Sequence, residues 1–412
     1  MTLTSVEADI ARRIRERQSA MEASLGEMVA LPTGRDHAPG LEAMRGLLMR
    51  RLAALGAVVE EWPAGVRPDW IATDAPQPVA APTLVARRTE GRAGPTLLIA
   101  GHMDTVHDPH GAFQSLQRSA NGRATGPGAA DMKGGLEVAL TALWAVETFA
   151  PSVRWIFIIN ADEESGSFRS ADHLARVAAE CDAGFIMEPA LADGGLVVER
   201  PGSGQFMIEA TGRAAHAGRD FASGVSAVTA LAEAILQAAR LTDLDRGRIV
   251  NVGPLRGGDA TNIVADRAFA WGNFRCGDEA QGEVLRRQLA ALERGAADQL
   301  PRIAVRQILN RPPKPCTDAV ARLAEAAVRT AGDLGMPLRA GRTGGVSDGN
   351  LIQAAGVPCL DGLGVRGGNL HRVDEYVELE SLTERAALLA ILLLRTAAHH
   401  PPITRANRRP GT

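Results

Sequence analysis

The sequence predicts an α/β fold, a doubly wound sheet domain at residues 1–200 and 312–412 interrupted by a smaller α+β domain at 201–311. Three observations lead there. Continuous apolar runs of strand length alternate with helical stretches as far as the MEP segment, the pattern of a sheet covered on both faces. From Gly204 the strands become alternating and half-buried, in the order βαββαβ of a split βαβ sandwich. After the proline-rich RPPKP at Arg311 to Pro315, elements of the first kind return, so the smaller domain is an insertion.

In order, Val6 to Ala30 reads as one helix and Leu41 to Leu55 as a second, both from apolar spacing at helical period. AVVEEW, TLVARR and TLLIAGHMD follow as strands. Lys133 to Phe149 has helical spacing and opens on the pair Gly134-Gly135; VRWIFIINA is a strand, Phe168 to Glu180 a helix and DAGFIME a strand. In the insertion, QFMIEATG, RIVNVGPL, ADRAFAWGNFRCG and RIAVRQIL are strands, and Val225 to Arg240 and Glu279 to Arg294 are helices. Helix Asp318 to Ala331, the glycine-rich GRTGGVSDGN, strand GVPCLDG and helix Leu379 to Ala397 complete the first domain, before the tail PPITRANRRPGT.

Composition narrows the function classes. A chain of 412 residues exceeds one ordinary core. With 45% hydrophobic and 23% charged residues it reads as a globular protein. A net charge of −3 and the lack of a basic stripe argue against nucleic acid as partner. No apolar run reaches membrane-spanning length, and the charged start has no apolar core of a secretory signal. Cys181, Cys276, Cys316 and Cys359 are scattered and form no CxxC pair, which fits a reduced, cytoplasmic setting.

The chemistry gathers at strand ends. His102 closes TLLIAGH, Glu164 follows IFIINADE, Glu188 closes AGFIME, Asp131 precedes the helix at Lys133, and His371 lies far downstream in GGNLHRVDEYV. Ligands in open α/β sheets collect at the carboxyl ends of strands. Mixed imidazole and carboxylate donors without thiolate suit zinc or a similar divalent ion. Alone, Asp131 reads equally as a helix N-cap and the Glu163-Glu164 pair as a solvated loop; the five together, in this order, read as a metal site. In extended chain, residues two apart face the same way, so Asp104 can accept the second ring N–H of His102 and fix its tautomer. Neighbouring Glu163 and Glu164 diverge, so one can bind metal while the other faces substrate as general base. The remaining histidines, His107, His110 and His173 at the surface and His37, His399 and His400 at the periphery, carry no such pattern.

GHMDTV, GPGAADMKGG, NADEESGS, MEP and LHRVDEYV together resemble the M20 metallopeptidase family, and within it the glutamate carboxypeptidase branch, whose neighbours are the aminoacylases and the acetylornithine and succinyl-diaminopimelate deacylases. The resemblance covers nearly the whole chain. It implies a catalytic domain with an inserted lid and dimerisation domain, and two zinc ions bridged by Asp131 and a water. His102 and Glu188 would complete one ion, Glu164 and His371 the other, with Co2+ or Mn2+ as substitutes and Glu163 as general base and acid. It implies a cis peptide at Asp131-Met132. GRAAHAG is similar to the family's GxxxHAG signature, which makes His216 the oxyanion donor, acting across a homodimer. TNIVAD and WGNFRCGD match the same domain and offer Asn262 and Arg275 as contacts to a substrate carboxylate; Arg311 stands where some members place a carboxylate-binding arginine. Gly345 and Ser347 of GGVSDGN either line the pocket through backbone N–H groups or form only a turn.

The chain also departs from the pattern. Ala130, next to Asp131, stands where the resemblance leads one to expect an aspartate, and ALADGGLVVERPG lacks the lysine of glutamate-preferring members. The expectation is a zinc-dependent hydrolase of an amide bond beside a free α-carboxylate, acting on an N-acyl amino acid or peptide-like substrate. A biosynthetic N-acyl deacylase is the alternative, and an inactive metal-bound binding protein of the same fold stands behind both.

Overall fold

A computed structural model describes residues 2–34, 37–71, 81–296 and 298–399. The chain forms two compact units, one from Met1–Val66, Gln77–Glu199 and Lys314–Thr412, the other from Arg67–Pro76 and Arg200–Pro313.

The first unit is built on a six-stranded sheet in the order Val58–Trp62, Thr83–Arg88, Arg154–Asn160, Thr96–His102, Ala183–Ile186, Cys359–Leu360. The last four run parallel, whereas Thr83–Arg88 is antiparallel to both of its neighbours. The sheet is therefore mixed rather than purely parallel. The short stretch 89–95 cannot carry the crossover that would bring the next strand back in the same direction. Both faces are nonetheless covered. Leu97 and Ile99 join the core under helices Lys133–Phe149 and Glu380–His399, while Leu98 and Ala100 join a second core under Ala171–Ala178 and Asp348–Ala354. That alternation is the two-residue period of a strand apolar on both sides.

Two features differ from the sequence reading of this unit. The first helix divides into Ser5–Arg15 and Gln18–Val29. Ile14 and Met21 are both fully buried, so apolar spacing continues across the break and hides it. A small antiparallel sheet, ordered Gly367–Gly368, Tyr376–Glu378, Arg123–Thr125, Gln117–Arg118, was not foreseen. It pairs the segment before Asp131 with the segment after His371 through Tyr376 opposite Thr125 and Val377 opposite Ala124.

The second unit has the βαββαβ order: Gly202–Thr211, Ala227–Ala239, Ile249–Gly257, Arg267–Cys276, Glu279–Ala290 and Arg302–Arg311. Its strands form one antiparallel sheet with Ile249–Gly257 at an edge. Phe206, Ile208, Phe274 and Cys276 face the two helices and build a separate core with Leu231, Leu285 and Leu289. The segment 67–71 also belongs here: the Trp70 carbonyl accepts from Trp271 Nε1 at 2.5 Å and Asp69 pairs with Arg306 at 3.3 Å. Among the described residues, no helix is long and apolar enough to cross a membrane. The tail PPITRANRRPGT, His400 and the side chain of His399 lie outside the described residues.

Candidate metal centre

Three adjacent parallel strands deliver their carboxyl ends to one place. His102 is the last residue of its strand and stands opposite Asn160, the last of the next; Glu163 and Glu164 follow Asn160, and Glu188 follows Ala183–Ile186 on the other side. Asp131 comes in from the turn before helix Lys133–Phe149, and its peptide bond to Met132 is cis. Gly135 permits that approach: a Cβ there would lie 2.1 Å from the Met187 carbonyl oxygen, so only glycine lets the helix begin against the strand end that carries Glu188. His371 sits in the hairpin loop between Gly367–Gly368 and Tyr376–Glu378, at φ 65° beside Asn369 at φ 55°. Left-handed backbone is uncommon for residues with a Cβ and is concentrated at functional sites.

The side chains converge. His102 Nε2 lies 3.3 Å from Asp131 Oδ1 and 3.7 Å from Glu188 Oε1. His371 Nε2 lies 3.5 Å from Asp131 Oδ2 and 3.3 Å from Glu164 Oε2. Each oxygen of Asp131 thus faces a different imidazole. Ligand atoms of His102, Asp131 and Glu164 fall within 4.8 Å of one another, as do those of His102, Glu163 and Glu188. His102, Asp131, Glu163 and Glu188 are buried, and Glu164 is half-buried.

The donor set fits a cation. His102 Nε2, Asp131 Oδ1 and Glu164 Oε1 are buried without a hydrogen-bond partner among the described residues, although His102 and Asp131 stand close, because their geometry is not that of a donor and an acceptor. Buried polar atoms are rarely left so unless an ion or water takes them. Electrostatics agree. Burial raises Glu188 well above the usual carboxylate range, and the charges of Asp131 and Glu163 add to it. Burial also raises Glu164, against the pull of His371. Asp131 is lowered: burial opposes its charge, but His102 and His371 outweigh burial. His371 is raised to about 10 by Asp131 and Glu164. Protons and carboxylates here balance one another, and a divalent cation can displace those protons.

Asp104 lies behind the cluster. His102 Nδ1 is 3.0 Å from the Asp104 carbonyl oxygen and 3.4 Å from its carboxylate, so backbone and side chain share the tautomer-fixing contact foreseen for the carboxylate alone. The carboxylate accepts from the backbone N–H groups of Glu163, at 3.3 Å, and Glu164, at 3.0 Å. One residue therefore orients His102 and the paired glutamates.

Ser347 does not offer its hydroxyl to a pocket. It is fully buried, donates to Asp361, accepts from Gly349 N at 3.1 Å and caps helix Asp348–Ala354. Its backbone N–H donates to Asn350 Oδ1 at 3.0 Å. Gly345 is exposed.

Sequence reasoning missed His107, Glu375 and Lys133. His107, assigned to the surface, is buried and stands 2.7 Å from Glu375 Oε2. Glu375 Oε1 accepts from Ala130 N at 2.8 Å and Asp131 N at 3.0 Å. Lys133 donates to the Leu31 carbonyl at 2.8 Å, and burial lowers it to about 7 against the opposing charge of Glu375. The signal for Glu375 was its place four residues after His371, in a stretch read only for its histidine.

The second unit holds the remaining candidates. His216 is exposed and bridges to Ile263, while Ala217 N donates to Asn262 O at 2.9 Å, which makes His216 and Asn262 backbone neighbours. His216 Nδ1 accepts from Gly218 N at 3.1 Å and Arg219 N at 3.2 Å. An accepting ring nitrogen carries no proton, so the proton of the neutral ring sits on Nε2, the tautomer a hydrogen-bond donor requires. Arg275 and Arg311 both pair with Ser203, one on each side of strand Gly202–Thr211, and so share one row of one sheet face.

The chain is 28% identical over 396 residues to carboxypeptidase G2 from Pseudomonas sp. (strain RS-16), covering 93% of this chain and 91% of that protein. It is 29% identical over 347 residues to a succinyl-diaminopimelate desuccinylase from Methylobacterium radiotolerans, covering 76% of this chain and 83% of that protein. The crystal structure of a tripeptidase from Staphylococcus aureus matches with a TM-score of 0.74 at 25% identity, over 93% of this chain and 99% of that one. A dinuclear metal-binding M20 peptidase from Bacillus subtilis shares the fold with a TM-score of 0.64 at 16% identity, over 93% of this chain and 99% of that one. A sequence profile described as Peptidase family M20/M25/M40 matches residues 98–395, and the chain belongs to that family of hydrolases.

Proposed function

We propose that this hydrolase uses two zinc ions to cleave an amide bond beside a free α-carboxylate, as a carboxypeptidase or an N-acyl-amino-acid amidohydrolase. The observation that carries the reading is the position of Asp131, one oxygen 3.3 Å from His102 Nε2 and the other 3.5 Å from His371 Nε2. A carboxylate so placed can bridge two ions, with His102 and Glu188 on one side and Glu164 and His371 on the other. Co2+ or Mn2+ can stand in for zinc at such donors. When bound, a close pair of divalent ions supplies an acidified water and polarises the substrate carbonyl.

This chain's residues do the rest. Glu163 follows Asn160 at the strand end, is buried beside His102 and Glu188, and takes the water's proton before handing it to the leaving amine. Asp104 holds the backbone of Glu163 and Glu164 and keeps Nδ1 of His102 committed, so that Nε2 faces the ions. His216 donates from Nε2 to the developing oxyanion. Arg275 and Arg311, in one row, bind the substrate carboxylate, and Asn262 beside His216 assists. Homodimerisation through the second unit is supported by its edge strand, where Ile249 and Leu255 are exposed, and by Val228 and Leu236 exposed on the neighbouring helix. The four scattered cysteines, three buried and Cys316 exposed, suit a reducing cytoplasm.

The likeness to succinyl-diaminopimelate desuccinylases favours a second reading, a deacylase of a dicarboxylic acyl amino acid. One panel separates the two. N-benzoyl-, N-acetyl- and N-succinyl-amino acids and C-terminal glutamyl peptides are incubated with the zinc-loaded protein and with the chelated protein, and products are read by mass spectrometry. Zinc-dependent release from glutamyl and N-acyl substrates supports the first reading, and release confined to succinyl substrates supports the second. No release from any substrate by protein shown to hold two ions would overturn both.

A further inference from the structure

We infer that Glu375, partnered by His107, is a positioning residue for the two-ion centre. It fixes the backbone of the Asp131 turn to the loop that carries His371. The inference rests on the proposed roles of Asp131 and His371 as ligands.

Three chain segments meet at this one carboxylate. Glu375 is fully buried. Its Oε1 takes two backbone N–H groups at once, from Ala130 at 2.8 Å and Asp131 at 3.0 Å. Its Oε2 stands 2.7 Å from Nε2 of His107, five residues beyond His102. Its own backbone continues the link: Gly126 N donates to Glu375 O at 3.1 Å, and Glu375 N donates to Arg372 O at 3.0 Å, beside His371. The next residue, Tyr376, pairs with Thr125 in the small sheet.

The need for such a clamp follows from Asp131 itself. Its Oδ1 has no hydrogen-bond partner among the described residues, so no protein donor aims that oxygen from the front. Its direction is then set from behind, by the peptide groups on its amino side. Those two N–H groups converge on one carboxylate oxygen, which has lone pairs for both. Because Glu375 lies four residues from His371, the bond that aims the bridging carboxylate also sets its distance from that imidazole. A displacement of either loop would separate Asp131 Oδ2 from His371 Nε2, now 3.5 Å apart.

A purely structural role would satisfy buried N–H groups and stabilise the fold without tuning the metal. The two roles are separated by measuring ion affinity and metal-free stability independently. Zn2+ dissociation constants are obtained by competition with a chromophoric chelator, and Co2+ binding by visible absorption, on wild type, Glu375→Ala, Glu375→Gln and His107→Ala. The melting temperature of each metal-free protein is recorded alongside. Glu375→Ala should weaken at least one ion by about 10–100-fold, the usual effect of removing a group behind a metal ligand, and change the Co2+ spectrum. Glu375→Gln keeps a carbonyl oxygen for both N–H groups and should recover most of the affinity. His107→Ala leaves those bonds in place but frees Oε2, and should weaken binding in the same direction by less. If Glu375→Ala fails to fold, Glu375→Gln and His107→Ala carry the test. Unchanged affinities and spectra in the folded variants, whatever their melting temperatures, overturn the inference. If wild type itself binds fewer than two ions, the two-zinc reading has failed, and the inference falls with it.

Discussion

Replacing Gly135 with alanine sets two effects of opposite sign against each other. In a helix, alanine is favoured over glycine by roughly 0.5–1 kcal/mol, so propensity alone predicts a more stable protein. Sterics predict the reverse. The new Cβ would stand 2.1 Å from the Met187 carbonyl oxygen, where ordinary contact begins near 3.4 Å, so helix and strand end must part by about 1.3 Å. The obstacle is backbone and cannot rotate away. Overpacking of this kind costs about 1–3 kcal/mol, which against the propensity gain leaves a net loss centred on roughly 1 kcal/mol, or about 1–2 °C of melting temperature in a chain of this size. The displacement also falls where it matters, since Asp131 precedes this helix start and Glu188 follows Met187. Site geometry tolerates only about 0.5 Å, and a misplacement near 1 Å costs about 100-fold in rate. Gly135→Ala should therefore melt earlier, bind zinc more weakly and lose most hydrolysis. Calorimetry on the metal-free protein and chelator competition give the first two quantities. A variant that melts higher than wild type and binds zinc unchanged would refute the packing argument.

Three further outcomes follow from the same geometry. Glu163→Gln should keep both ions yet lose about 100-fold or more in kcat, whereas Glu164→Ala should lose an ion; the opposite result by metal analysis would mean that the two adjacent glutamates exchange roles. His216→Ala should cost activity at unchanged zinc content, and mixing it with Glu163→Ala should restore part of the activity, since a mixed dimer holds one intact composite site; absence of rescue after verified subunit exchange refutes action across a dimer. In the metal-free protein His371 is raised to about 10 by Asp131 and Glu164. A histidine raised on folding stabilises fully below its ordinary value near 6.5 and loses that contribution as pH rises through its folded value. The metal-free melting temperature should accordingly fall as pH rises from about 6.5 towards 10, and a melting temperature that stays flat across that window counts against the contact.

The strand ends were legible because His102, Glu164 and Glu188 close or follow apolar runs, and the parallel sheet gathers those ends. The insertion was legible because its strands alternate while those of the first unit do not. What escaped the sequence has physical reasons. Two-residue strands such as Gln117–Arg118 and Gly367–Gly368 are too short to show a period. The break between Arg15 and Gln18 leaves the apolar spacing intact. His107 and Glu375 are polar residues in loops, buried against each other, and a partner 268 positions away leaves no local trace. Ser347 was read for its backbone N–H, which donates to Asn350 three residues on, while its hydroxyl serves Asp361 and the start of a helix.

The small sheet that joins Arg123–Thr125 to Tyr376–Glu378 also dictates when the centre can come into being. During synthesis His102, Asp131, Glu163, Glu164 and Glu188 leave the ribosome first, and the whole second unit follows before His371 and Glu375 appear. A nascent chain paused at that stage holds His102, Asp131, Glu164 and Glu188 but neither His371 nor Glu375. On the proposed assignment the centre would be completed only when residue 371 emerges, and a chain truncated before it would lack both the second imidazole and the carboxylate that holds the Asp131 turn.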